Sequence, residues 1–179
     1  NCQAMMAQMP LLKNITGNLA MPGFTAPKLH WMRENETENF KRVAKVLLPK
    51  DYVRFLMSGD YASDKSDSAG TLWLDVAKRD WSDEVLKLTG LTRSHMPNLF
   101  EGSQTTGVLT SRVADDWGMS QVPIAGGGGD NAAGAVGVGV IKSGDGFLSL
   151  GTSGVIFLAD NQYRPNPGGA VHTFCHALP

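Results

Sequence analysis

Residues 126–129 are four consecutive glycines; they follow the short apolar run 122–125 and lead into Asp130 and the small, apolar stretch 131–140. Glycine alone takes positive φ freely and lets other atoms approach the backbone closely. Four in a row between a strand and a helix therefore predict a tight turn with something packed on it. A strand entering a helix this way projects the next side chain into a cleft at the strand end. That side chain is Asp130. It can serve as a base, or it can cap the helix by accepting from free N–H groups. Four glycines exceed what a cap requires, which favours a functional site. The run matches neither G-x-G-x-x-G nor the G-K-[ST] ending of a phosphate loop, so the common dinucleotide and nucleotide motifs are excluded. Gly134, Gly137 and Gly139 each cost about 1 kcal/mol relative to alanine in a helix interior, which predicts that this helix packs its backbone closely on a sheet.

A second signal follows. The apolar runs 147–150 and 155–158 flank Gly151-Thr152-Ser153-Gly154, a hairpin with a glycine-rich turn. Backbone N–H groups and two hydroxyls crowd there into one small volume, which suits a phosphate, although an ordinary turn has the same composition. Paired with a glycine-led aspartate shortly before it, the phosphate reading gains: one loop holds a transferable phosphate while Asp130 takes a proton from the attacking hydroxyl.

Elsewhere the patterns are conventional. Met5, Met6 and Met9 mark a short helix packed on a core. Residues 17–27 read as a loop and helical spacing begins at Lys28. Thr37 is expected to cap a helix carrying Phe40, Val43, Val46 and Leu47, unless 46–48 form a short strand. Pro49 opens a helix whose apolar face is Tyr52, Val53 and Leu56, and Gly59 ends it. Residues 60–70 read as a polar loop; the four aspartates between 60 and 75 do not match a calcium loop and point to solvation or helix capping. Ser82 and Thr110 open further helices, stopped by Gly90 and Gly118, and 171–177 read as a strand. Helices dominate before 143 and strands after it, which sets a boundary at 142/143.

Composition narrows the function classes. A chain of 179 residues with 42% hydrophobic content can bury a core, and its net charge of -1 gives no bulk attraction to nucleic acid or anionic membrane. Phosphate chemistry must then rest on a local site. Apolar runs fall short of the roughly 20 residues that span a bilayer. Cys2 and Cys175 form no C-x-x-C pair, which suits a reducing cytoplasm and suggests neither a disulfide framework nor structural zinc. His172, Cys175 and His176 lack a second ligand cluster, so no metal-ligating residue is assigned; His30 and His95 are expected at the surface or in packing. Starting on Asn1, the chain is expected to lack its beginning.

Several segments together carry a family resemblance. Gly23-Phe24-Thr25-Ala26-Pro27-Lys28-Leu29-His30-Trp31-Met32-Arg33-Glu34-Asn35, Leu48-Pro49-Lys50-Asp51-Tyr52, Ser66-Asp67-Ser68-Ala69-Gly70-Thr71 and Gly127-Gly128-Gly129-Asp130-Asn131-Ala132-Ala133-Gly134 occur in this order. They resemble the FGGY carbohydrate kinases, of the actin-like, ribonuclease-H-like ATPase superfamily. The resemblance implies an incomplete α/β actin-like fold, with 1–142 the later part of a first lobe and 143–179 the opening hairpin of a second. It implies Asp130 as general base and sugar ligand, Asn131 as a second sugar ligand, and Gly151, Thr152 and Ser153 as the second phosphate loop. ATP and Mg2+ are the implied cofactors, and a small-molecule sugar is the implied partner, without nucleic acid or membrane; a homodimer of the complete enzyme is left open. The resemblance of residues 149–154 and 171–177 favours xylulose as the sugar over ribulose, gluconate or glycerol, and a non-catalytic actin-like module is the alternative class. The family's first phosphate loop and adenosine-binding region are absent here, so the chain alone is expected to be inactive.

Overall fold

The computed structural model describes residues 1–179, and its main core gathers around the fully buried Leu72, Trp73 and Leu74. Helix α1 (Cys2–Gln8) buries Met5 there, and Met6 and Met9 pack beside it as expected. Helix α2 (Leu12–Thr16) stops at Gly17, whose φ of +69° is left-handed. Helix α3 (Thr25–Asn35) starts inside the segment read as a loop, because Pro27 falls in its first turn, where no N–H is needed. Its Ala26, Pro27 and His30 face the core.

Beyond α3 the chain forms only one turn, α4 (Thr37–Phe40), and the helix expected to run to Leu47 is not there. Thr37 does not cap it; its hydroxyl donates back to Arg33 O at 3.1 Å. Val43 and Val46 are β-branched and weak helix formers, and Val46 N donates to His95 O at 2.8 Å instead. No strand forms over 46–48 either.

Helix α5 (Pro49–Ser58) has the expected ends, with Pro49 in its first turn and Gly59 at φ +81°. Its faces are the reverse of the expectation. Tyr52, Val53 and Leu56 are 53%, 55% and 52% exposed, while Asp51 and Arg54 are buried. The polar loop expected over 60–70 is an ordered unit, strand β1 (Ala62–Asp64) followed by helix α6 (Lys65–Ala69), with the strand wholly buried. Asp64 caps α6 by accepting from Asp67 N at 2.9 Å.

Strands β2 (Leu74–Asp75) and β3 (Asp80–Trp81) pair antiparallel, and helix α7 (Asp83–Leu88) begins at the Ser82 cap. Strand β4 (Asn98–Phe100) runs parallel to β1. Strand β5 (Thr105–Val108) and β6 (Pro123–Ala125) form an antiparallel pair around helix α8 (Ser111–Asp116), which buries Val113 and Ala114 beside Leu109. The glycine run joins β6 to helix α9 (Asp130–Gly137). A β-carbon built at Gly134, Gly137 or Gly139 meets nothing within 4 Å, so the close backbone packing expected of this helix is not seen.

Strands β7 (Gly146–Leu150) and β8 (Gly154–Leu158) form the expected hairpin, in register from Gly146 with Leu158 to Leu150 with Gly154. Residues 171–177 form no strand. They run as an extended strap across the main body, because Asn18 takes the bonds a neighbouring strand would supply: its Oδ1 accepts from Thr173 N at 3.0 Å and its Nδ2 donates to Thr173 O at 2.8 Å. Tyr163 anchors the start of the return by donating to Asn14 O at 2.6 Å. A cavity of about 330 Å³, lined by Arg79, Lys142, Tyr163 and His176 among others, lies between the strap and the residues flanking the hairpin. No helix is long and apolar enough to cross a membrane.

Candidate functional site

Close approach to the backbone demands glycine most at Gly126 and a backbone angle demands it at Gly127. A β-carbon on Gly126 would strike the carbonyl of Glu101, and one on Gly128 would stand 3.3 Å from both Ser66 Oγ and Ala177 Cβ. Gly127 takes φ +77°. The run is held at both ends: Arg54 Nη2 donates to Gly126 O, and Gly129 N donates to Ser66 Oγ at 3.0 Å.

Asp130 is the first residue of α9, and Gly129 occupies the cap position before it. The Asp130 side chain still meets one free amide of the first turn, as a cap does. Its Oδ1 accepts from Asn131 N at 2.7 Å and lies 3.3 Å from Asn131 Nδ2. Both residues are exposed. A carboxylate exposed on a turn held at both ends can accept a proton from a hydroxyl placed against it.

Beneath the run lies a cluster that sequence reasoning missed. Lys50 Nζ is 2.6 Å from Asp51 Oδ1, 2.6 Å from Asp64 Oδ2 and 3.4 Å from Asp67 Oδ2. Ser63 Oγ donates to Asp51 Oδ2 at 2.6 Å, and Ser66 Oγ donates to Asp64 Oδ1. Burial alone would lift the Asp64 carboxyl, yet the bonds from Lys50 and Ser66 hold it below the usual range. Burial likewise opposes the Lys50 charge, and Asp51 and Asp64 hold its ammonium above the ordinary value. Asp67 goes the other way: burial raises it, Lys50 offsets this in part, and the nearby charges of Asp64 and Asp51 push it further up. The signal available in the sequence was Asp51 and Arg54 at helical spacing beside the repeated Ser-Asp of Ser63-Asp64-Lys65-Ser66-Asp67.

At the other candidate site, Gly151, Thr152 and Ser153 form the exposed tip of the hairpin, and Gly151 N donates to Ser153 O at 2.9 Å. The hydroxyls of Thr152 and Ser153 have no partner within the chain, which fits donors for a phosphate. No hydrogen bond joins this tip to Asp130 or Asn131. The histidines and Cys175 diverge: His172 Nδ1 lies 3.0 Å from Asn18 Oδ1, His176 Nε2 lies 3.0 Å from Val140 O, and burial pushes the Cys175 thiol up to about 11. His30 packs in the interior and His95 accepts from Thr92 N at 3.1 Å.

Residues 2–137 match the N-terminal domain of the FGGY family of carbohydrate kinases. The chain belongs to that family, and its fold is part of the actin-like ATPase fold. It is 57% identical over 178 residues to the xylulose kinase of Escherichia coli (strain K12), covering 99% of this chain and 37% of that protein. A xyloylose kinase structure from Brucella ovis superposes with a TM-score of 0.96 at 53% identity, over 99% of this chain and 37% of its own. The xylulose kinase structure from Rhodospirillum rubrum, at 23% identity, shares the fold with a TM-score of 0.89 over 100% of this chain and 38% of its own. The chain thus spans little more than a third of the length of these relatives.

Proposed function

We infer that this chain is the base-bearing part of a kinase that phosphorylates D-xylulose to D-xylulose 5-phosphate. The observation that carries the reading is the exposed carboxylate of Asp130, set at the head of α9 by a glycine run gripped at both ends. Asp130 takes the proton of the attacking sugar hydroxyl. Asn131, beside it, holds a neighbouring sugar oxygen. Gly151, Thr152 and Ser153 would hold phosphate of ATP, which supplies the phosphoryl group with Mg2+ carried largely by its own oxygens. No group of three or more His, Cys, Asp or Glu is arranged here to hold a metal ion. The match of the family's N-terminal domain to residues 2–137 supports a lobe boundary near 142/143, with the hairpin opening the second lobe. A cytoplasmic setting fits a substrate and a nucleotide of central metabolism.

The test is Asp130→Asn in the complete kinase, assayed with xylulose, ribulose, gluconate and glycerol. Asparagine keeps the size and loses the basicity, so turnover is expected to fall about 100- to 10,000-fold while ATP affinity holds. Turnover within about threefold of the parent would remove Asp130 from the role. A preference for ribulose, gluconate or glycerol would overturn the assignment of substrate.

A further inference from the structure

Both ends of the glycine run lead, through separate routes, to one ammonium group. From Gly129 the route passes to Ser66 Oγ at 3.0 Å, from Ser66 to Asp64 Oδ1, and from Asp64 Oδ2 to Lys50 Nζ at 2.6 Å. From Gly126 it passes through its carbonyl to Arg54 Nη2; Arg54 Nη1 then faces Asp51 Oδ1 at 3.7 Å, an ion pair longer than a hydrogen bond, and Asp51 Oδ1 accepts from Lys50 Nζ at 2.6 Å. Lys50 closes the ring. Asp67 lies inside the same arrangement, with its Cα and Oδ1 each 3.4 Å from where a β-carbon on Gly129 would be.

A general base at the head of α9 does not by itself call for such a ring. Asp51, Asp64 and Arg54 are buried charges, and apolar side chains of similar volume often fill such a space at no loss of stability. What charged groups add is direction, since each bond fixes the rotamer of the next. Glycine has the most backbone freedom to lose, so a run of four needs an external hold if the residue after it is to point one way. Backbone carbonyls hold the first two amides, Gly126 N donating to Gln104 O at 2.8 Å and Gly127 N to Gly102 O at 2.9 Å, and side chains complete the hold at the first carbonyl and the last amide.

Resting on the reading of Asp130 as the base, we propose that Lys50, through Asp64–Ser66 and Asp51–Arg54, is a positioning residue that aims Asp130 by fixing residues 126–129. Lys50 does not touch substrate in this account. It acts on the rate through backbone geometry, where misplacement by about 1 Å can cost roughly 100-fold.

The experiment compares Ser66→Ala, Lys50→Met and Lys50→Arg in the complete kinase, with Asp130→Asn as a control, by steady-state kinetics and amide hydrogen exchange. Ser66→Ala and Lys50→Met are expected to lower kcat about 10- to 100-fold with KM for sugar and ATP changed less than about threefold. Exchange over 126–130 should speed up about tenfold, with the hairpin 146–158 unaffected, and Lys50→Arg should recover most of both. Should Lys50→Met fail to fold, Ser66→Ala decides, since it removes only a hydroxyl. Unchanged exchange over 126–130 in Ser66→Ala overturns the proposal, as does faster exchange with full kcat. If Asp130→Asn retains turnover, the base reading fails and the proposal with it; if only Asp130→Asn is impaired, the base stands and the positioning role falls.

Discussion

Asp64 and Asp67 face the same lysine, yet their environments drive them apart. The folded value of Asp64 is depressed, so its contribution to stability is fully present above the unfolded value of about 3.9 and is lost as pH falls through the folded one. The folded value of Asp67 is raised, so ionising it in the native state works against folding, and that penalty grows as pH rises through the unfolded and then the folded value. Asp64→Asn is therefore expected to destabilise the complete kinase at pH 7 by about 3 kcal/mol, since it removes a partner from buried charges. Asp67→Asn should be neutral or slightly stabilising. Thermal melts at pH 7 and at about pH 2 check both, with the Asp64→Asn deficit still present near the unfolded value of about 3.9 and shrinking only below it. Equal losses from the two substitutions would contradict the opposed shifts.

Among the elements, those written by local rules were legible in the sequence. Ser82 and Thr110 accept from the amides three residues on, Pro49 and Gly59 bound α5, and the hairpin turns where Gly151 and Gly154 predict. What stayed hidden was set by distant partners. Nothing local announces that α5 turns Asp51 and Arg54 inward, because the lysine, serine and carbonyl that meet them come from its own first turn, from β1 and from the glycine run. The strap was misread for the same reason, its bonds coming from Asn18. Asp130 could be singled out as a candidate, whereas the ring beneath it could not. The glycines of 126–139 now divide into two groups. Gly126→Ala drives a β-carbon into backbone and should destabilise by about 1–3 kcal/mol. Gly134→Ala meets open space in the present chain and should stabilise it by up to about 1 kcal/mol through helix propensity. Urea titrations of the 179-residue chain and of the complete kinase test this, and a loss from Gly134→Ala in the complete protein alone would reveal that further chain covers that face.

At the scale of the whole molecule, the hairpin stands out from the body with apolar side chains in water: Leu150 is 78% and Ile156 84% exposed, and Leu148 and Leu158 lie beside them. Both outer edges of the two-stranded sheet are unpaired. Such edges recruit other chains. The 179-residue chain is expected to elute from size exclusion as an oligomer and to release no ADP with xylulose, because phosphoryl transfer clamps its nucleotide from more sides than one hairpin tip provides. A monodisperse monomer that turns over xylulose would refute this. The strap carries a mechanical consequence as well. The chain leaves the body after α9 and returns at Tyr163, and the outgoing and returning segments are bonded to each other at the hairpin base, Gly144 N to Ala159 O and Ala159 N to Asp145 O, each at 2.9 Å. A body joined by one strand can swivel freely. One joined by two segments bonded side by side is tethered twice, so whatever is built on this hairpin is displaced only when both segments move together.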